Sequence, residues 1–160
     1  MGVIGYGVMG SEFAKLLAAM GVQVLAYDKY KSGFAHEGIK EVTLKTIQLQ
    51  ADVVSLHLPL NEETNGWVDE NFFSTFSKPI HFINTARGPI VKTSALIQAL
   101  DSGKVLSAAL DVLEYEKRSF TSLFEGKIPN EVKRLLERDN VLLSPHIAGW
   151  TQESFEKMGR

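Results

Sequence analysis

Near its N-terminus the chain reads Ile4-Gly5-Tyr6-Gly7-Val8-Met9-Gly10, a Gly-x-Gly-x-x-Gly spacing, and the next apolar run closes on Asp28. This pattern leaves a chain few folds. Gly5 permits a tight strand-to-helix turn, Gly7 lets the backbone approach a pyrophosphate, and Gly10 lets the helix pack close to a sheet. Phosphates in such a turn lie on a helix N-terminus, where unpaired N–H groups and the positive end of the macrodipole favour an anion. Val3 and Ile4 end a first strand, and Phe13, Leu16, Leu17 and Met20 recur at helical spacing. Gly21 stops that helix and Val22 to Tyr27 reads as a second strand, so the strand, turn, helix, strand order that the motif needs is complete. Asp28 would accept hydrogen bonds from the adenosine ribose hydroxyls, which favours NAD over NADP.

At 160 residues the chain fits one domain with a substantial core. Its hydrophobic fraction of 44% and charged fraction of 22% are those of a globular protein. A net charge of -2 gives no sign of a nucleic-acid partner or an anionic membrane surface. The absence of cysteine excludes a disulfide framework and a thiolate metal site, and suits a reducing compartment. No apolar run approaches the roughly 20 residues of a membrane span, and the start lacks a signal-peptide pattern. The chain reads as cytoplasmic, with neither nucleic acid nor membrane as partner. His57, inside an apolar strand, reads as a structural histidine, while His36 and His81 carry no motif. Acidic and histidine residues do not cluster at ligand spacing, so no metal is expected.

Beyond Asp28 the stretch 29–40 is polar and glycine-bearing. Glu41-Val42 then leads into a helix over Thr43 to Gln50, and Asp52 to Leu58 reads as a buried strand. A helix over Asp69 to Phe76, a strand over Ile80 to Asn84, a helix over Thr93 to Ser102 and a strand over Val105 to Leu110 follow. Asn130 can cap a helix carrying Val132, Leu135 and Leu136, before a last strand at Val141 to Leu143. Strands alternating with helices imply an α/β fold: a doubly wound, mostly parallel Rossmann sheet with helices on both faces.

Four further motifs go beyond a generic fold of this kind. They are Ser55-Leu56-His57-Leu58-Pro59-Leu60, then Asn84-Thr85-Ala86-Arg87-Gly88, then Leu110-Asp111-Val112 with Glu116, and Ser144-Pro145-His146-Ile147-Ala148-Gly149. In this order and spacing they resemble the nucleotide-binding domain of the D-isomer-specific 2-hydroxyacid dehydrogenases, a family that includes D-3-phosphoglycerate dehydrogenase. The resemblance covers nearly the whole chain.

The resemblance implies a catalytic set of Arg87, Glu116 and His146. A guanidinium offers a planar fork of donors that can hold a substrate carboxylate and polarise the reacting carbonyl. His146 would be the acid–base, taking the hydroxyl proton in oxidation and returning it in reduction. Glu116, five residues after Asp111, would stabilise the imidazolium and raise its pKa. The resemblance also implies a cofactor set for NAD. Val8 and Met9 join the three glycines at the pyrophosphate, and Thr85, Ala86 and Arg87 line the nicotinamide side. Asp111 matches an acid that contacts the carboxamide, although by itself it would be a strand-end cap or turn former. Pro59 and Thr64 border the cleft, and His146, Ala148 and Gly149 lie in the last cofactor-facing motif.

Two features depart from the family pattern. The segment between Glu116 and His146 is longer than in many members, and Trp150 stands where small residues are frequent, a core or interface tryptophan. Family members also have a second, substrate domain. With a first strand beginning at Met1 and residues 151–160 reading as a short helix, the chain reads as an NAD-binding domain over 1–160, a fragment of a longer two-domain enzyme. The expected reaction is hydride transfer between NAD and a D-2-hydroxyacid, with 3-phosphoglycerate the first substrate to consider and hydroxypyruvate and glyoxylate behind it. A homodimer through this domain is implied. The rivals are a beta-hydroxyacid dehydrogenase, which shares the glycine pattern but not the later motifs, and a non-catalytic NAD-responsive binding protein.

Overall fold

The computed structural model describes residues 1–115, 128–152 and 154. Glu116 and the rest of 116–127 lie outside the described residues, as do 153 and 155–160. Seven strands form one sheet: β1 (Gly2–Ile4), β2 (Val24–Tyr27), β3 (Ile39–Glu41), β4 (Val53–Leu56), β5 (Ile80–Asn84), β6 (Val105–Leu110) and β7 (Val141–Leu143). Their order is β3-β2-β1-β4-β5-β6-β7, and every pairing is parallel. The helices are α1 (Val8–Ala19), α2 (Leu44–Gln50), α3 (Glu70–Ser74), α4 (Thr93–Asp101) and α5 (Asn130–Leu136). β1 therefore sits between β2 and β4, where the strand order reverses, and the loops after β1 and β4 open side by side at the switch point.

Alternation along the strands divides the core between the two sheet faces. Val3, Val24 and Ala26 face α1 and pack with Ala14. Ile4, Leu25, Val54, Leu56 and Phe82 face the other way, onto Ile47 of α2, Phe72 and Phe73 of α3, Leu96 and Leu100 of α4, and Leu135 of α5. The described helices thus cover the sheet unequally. Among the described residues, the α1-side surface over β5 to β7 forms a groove of about 490 Å³, lined by His81, Ile83, Ser107, Ala109, Asn140 and Leu142. None of the expected site residues borders it.

The helix starts have physical causes. Thr43 accepts the N–H of Thr46 and caps α2, and Asp69 accepts the N–H of Phe72 and caps α3. Several expectations need correction. Ile39 and Lys40, read as part of a polar connection, and Glu41, read as the lead into α2, instead form the edge strand beside β2; only Ile39 is buried, so three residues gave no pattern to read. β2 and β4 are shorter than the apolar runs that contain them. α1 buries Gly10 and Ala14, while Leu16 and Met20 point outward at 65% and 79% exposure. Asn130 is the first helical residue of α5, not its cap; that position belongs to Pro129, without a side-chain cap bond. Trp150 is about half exposed and is no core residue. No helix among the described residues is long and apolar enough to cross a membrane.

Candidate functional site

The glycine turn is shaped by what its residues lack. Gly5 has a φ of 95°, and a Cβ there would lie 2.3 Å from the carbonyl oxygen of His57. At Gly10 a Cβ would lie 2.0 Å from the oxygen of Gly5, so α1 can start this close to the turn only without a side chain. At Gly7 a Cβ would meet nothing within 4 Å. The space beside it is open, as a backbone that receives a ligand requires. Gly7 is also the N-cap of α1, with no side-chain cap bond and no acid in the first turn. The first N–H groups of the twelve-residue helix are thus left for an anion. Val8 and Met9 are 79% and 73% exposed there. This cradle fits a dinucleotide pyrophosphate.

Asp28 follows β2, and its carboxylate ties the turn together. Oδ2 accepts the N–H of Tyr6 at 2.7 Å, and Oδ1 accepts those of Tyr30 and Lys31 at 2.9 and 3.0 Å. Burial pushes its pKa up, but these three N–H groups and the Lys31 ammonium outweigh it and hold the carboxyl below its ordinary range. Three of about four lone-pair positions are used, which leaves room to accept from a ribose hydroxyl. Tyr6, the residue between the first two glycines, is thereby part of the site, and its ring stacks on Phe34 at 4.1 Å.

His57 backs the turn from the end of β4. Its Nε2 is 3.0 Å from the Ser55 hydroxyl, and its ring lies 5.0 Å from that of Phe13. Burial pulls its pKa down to about 4, the behaviour of a neutral structural histidine. Pro59 and Thr64 belong to one turn: the Thr64 hydroxyl donates to the Pro59 carbonyl at 2.6 Å and accepts the N–H of Asn61 at 2.9 Å.

At the ends of β5, β6 and β7 the other expected residues lie side by side. Asn84, buried at the end of β5, accepts the N–H of Ala86 at 3.0 Å and donates to the carbonyl of Arg87 at 3.3 Å, an Asx-type turn that sets the course of Thr85, Ala86 and Arg87. Thr85 and Arg87 are exposed; the guanidinium donates to the Ala86 carbonyl at 2.6 Å. Gly88 lets this turn press on the strand exit, since a Cβ there would lie 1.8 Å from the Leu113 oxygen. Glu114 accepts the N–H of Thr93 at 2.8 Å and so serves the start of α4.

Asp111, nearly fully buried at the end of β6, laces the last two strand ends. Its N–H donates to the Asn84 carbonyl at 3.0 Å. Its Oδ1 accepts the Ser144 hydroxyl at 2.6 Å and the N–H of Ile147 at 2.9 Å, and its Oδ2 accepts the N–H of Ala148 at 2.9 Å. These bonds enclose His146, which stands in the left-handed region with a φ of 54°. Gly149 follows with open space around it. The structure therefore brings Arg87, Asp111 and His146 to adjacent strand ends; Glu116 lies outside the described residues. Sequence reasoning missed Tyr6, Asn84, Glu114 and Ser144. Of these only Asn84, an Asx residue closing a strand, had a local signal. No group of three or more potential metal ligands exists among the described residues.

Comparison with known proteins agrees with this architecture. Residues 1–148 match the profile of the D-isomer specific 2-hydroxyacid dehydrogenase NAD binding domain. The chain is 37% identical over 161 residues to the D-lactate dehydrogenase of Lactiplantibacillus plantarum, covering 99% of this chain and 48% of that protein. It is 38% identical over 160 residues to the D-3-phosphoglycerate dehydrogenase of Archaeoglobus fulgidus, covering 99% of this chain and 28% of the other. In structure it resembles the NAD-complexed D-isomer specific 2-hydroxyacid dehydrogenase of Lactobacillus delbrueckii ssp. bulgaricus, with a TM-score of 0.89 and 36% identity over 98% of this chain and 50% of that one. The chain thus spans at most about half the length of these relatives. It belongs to the D-isomer-specific 2-hydroxyacid dehydrogenase family, through that family's NAD-binding domain.

Proposed function

We propose, with that membership as premise, that the chain is the nucleotide-binding half of an NAD-dependent oxidoreductase acting on D-2-hydroxyacids. The observation that carries the reading is the lacing by Asp111, which ties the loop around His146 to the end of β6, itself bonded to Asn84 before the Arg87 turn, on the same row of strand ends as the glycine cradle. Bound NAD supplies the hydride acceptor for oxidation, and its reduced form the donor for reduction. Gly5, Gly7 and Gly10, with the first turn of α1, hold the pyrophosphate, and Asp28 takes a ribose hydroxyl. Arg87 swings its guanidinium from the Ala86 carbonyl to clamp the substrate carboxylate and polarise the carbonyl. A ring nitrogen of His146 accepts the substrate hydroxyl proton in oxidation and donates it back in reduction. Glu116 is assigned the support of the imidazolium. Asp111 is a positioning residue for the His146 loop, with the carboxamide contact implied for it as a second role.

The substrate is assigned as a class. The relatives named above include a D-lactate and a D-3-phosphoglycerate dehydrogenase at nearly equal identity, so 3-phosphoglycerate is one candidate among several. The second wall of the cleft is assigned to a substrate domain of the kind the longer relatives have room for. Homodimerisation through this domain accords with the apolar side chains that α1 and its C-cap leave outward, Leu16 and Met20; sedimentation velocity tests it.

The functional test has two stages. The full chain should bind NADH in a fluorescence titration, yet show negligible turnover with pyruvate, hydroxypyruvate, glyoxylate or 3-phosphohydroxypyruvate, because orientation by both walls contributes about 7–11 kcal/mol. A chimera joining it to the remaining half of the Lactiplantibacillus plantarum relative should turn over. His146→Gln in that chimera should lower kcat by about 10²- to 10⁴-fold and leave NADH affinity intact. Absent NADH binding, or a chimera indifferent to His146→Gln, would overturn the reading.

A further inference from the structure

Asp28 is followed by Lys29, Tyr30 and Lys31, two cations beside the acid that faces the ribose. From sequence they would welcome a 2′-phosphate and soften any preference for NAD. The structure engages both. Lys31 Nζ donates to the Tyr6 carbonyl at 3.2 Å, inside the glycine turn. Lys29 Nζ lies 2.9 Å from Oε2 of Glu63, and the Tyr30 hydroxyl donates to the same oxygen. The ammonium also lies 5.2 Å from the centroid of the Tyr30 ring. Tyr30 thus joins two carboxylates: its N–H is on Asp28 and its hydroxyl on Glu63.

Glu63 comes from the other side of the switch point, in the loop after β4, and that loop is fixed. Asn61 Oδ1 accepts the N–H groups of Glu63 and Thr64, each at 3.0 Å, and Thr64 closes the turn onto Pro59. The carboxyl is held below its ordinary range by the Tyr30 hydroxyl and by Lys29, so it is ionised at neutral pH.

We infer that Glu63 is a second cofactor-selecting residue, which together with Asp28 favours NAD over NADP by occupying the ammonium of Lys29 that a 2′-phosphate would need. The inference rests on the NAD reading above. With Glu63 present, the four groups Asp28, Glu63, Lys29 and Lys31 carry no net charge; without it they carry one positive charge facing the dianion. The pair is about half exposed, 57% and 53% at the two side chains, so its hold is several-fold and not many decades.

The test is a fluorescence titration of the full chain with NADH and NADPH, comparing wild type with Glu63→Gln, Lys29→Met and the double variant. Glu63→Gln should tighten NADPH about fivefold and leave NADH within about twofold. Adding Lys29→Met should abolish the gain, and raising the salt from about 0.05 to 0.5 M should shrink it. Glu63→Ala should repeat the result, and thermal melts of these surface variants should match wild type. An unchanged NADPH to NADH ratio in Glu63→Gln, or a gain that survives loss of Lys29, would overturn the inference. Wild type that binds no NADH would instead overturn the cofactor reading, before any variant is compared.

Discussion

The glycine turn and the His146 loop stand on one row of strand ends, but opposite means hold them in place. In the turn the limiting contacts are steric: the Gly10 position faces the oxygen of Gly5, five residues away, and the Gly5 position faces that of His57, each with room for a hydrogen and no more. In the loop a buried carboxylate reaches across 33 to 37 residues and accepts three hydrogen bonds. Hard-core overlap admits no partial failure, whereas a set of hydrogen bonds can be removed one at a time. The glycine turn should therefore respond to substitution all at once and the His146 loop by degrees.

The largest effect should come from Gly10→Ala. Its methyl group would overlap the Gly5 carbonyl, and a cost on the order of 4 kcal/mol should leave the chain unfolded or nearly so by circular dichroism. Gly7→Ala, three residues earlier, has open space and should melt within about 1 kcal/mol of wild type while losing NADH affinity. If both variants fold equally well, the steric account of the turn is wrong. At the other end, Asp111→Asn sets an amide N–H₂ among three donors and should cost about 3 kcal/mol in denaturant unfolding, with faster amide exchange at Ile147 and Ala148.

The turn also has a pH signature. Burial pulls the pKa of His57 from an ordinary 6.5 down to about 4 in the folded chain. Below pH 6.5 the unfolded chain takes up a proton that the folded chain refuses, so stability falls between pH 6.5 and about 4, by roughly 2–3 kcal/mol. His57→Gln, which keeps a partner for Ser55, should flatten that part of a stability–pH curve. The Asp28 carboxylate, held low, adds stability that is lost only as pH drops below its ordinary 3.8, so the two windows separate. The smallest change, Ser144→Ala, removes the hydroxyl bond to Asp111 and keeps the two backbone bonds. About 1 kcal/mol in unfolding is expected, and a loss as large as that of Asp111→Asn would show that the loop behaves as one unit after all.

The same contrast explains what could be read in advance. The strands Ile80–Asn84, Val105–Leu110 and Val141–Leu143 were legible to the residue, because their apolar runs are bounded by breakers. The glycine turn was legible because its three glycines stand at a telling spacing, although the His57 carbonyl that also limits Gly5 was not. Arg87 and His146 were visible only through motifs that surround them, since an arginine in a loop or a histidine after a proline has no local reason to be functional. The three bonds on Asp111, and the grip of Glu63 on Lys29 across 34 residues, exist only once the strand order brings their loops together. β3 escaped for another reason: with one buried side chain in three residues, an edge strand differs little from a polar connection.

His146 occupies a backbone conformation that a residue without a side chain adopts at no penalty, and asparagine more readily than most. A histidine there forgoes about 1 kcal/mol of backbone ease. A redesign guided by thermostability alone would therefore replace it, and the improved melting curve would conceal that the residue proposed to carry the proton had gone. Position 146 is where selection for a hardier domain and selection for a working one part company.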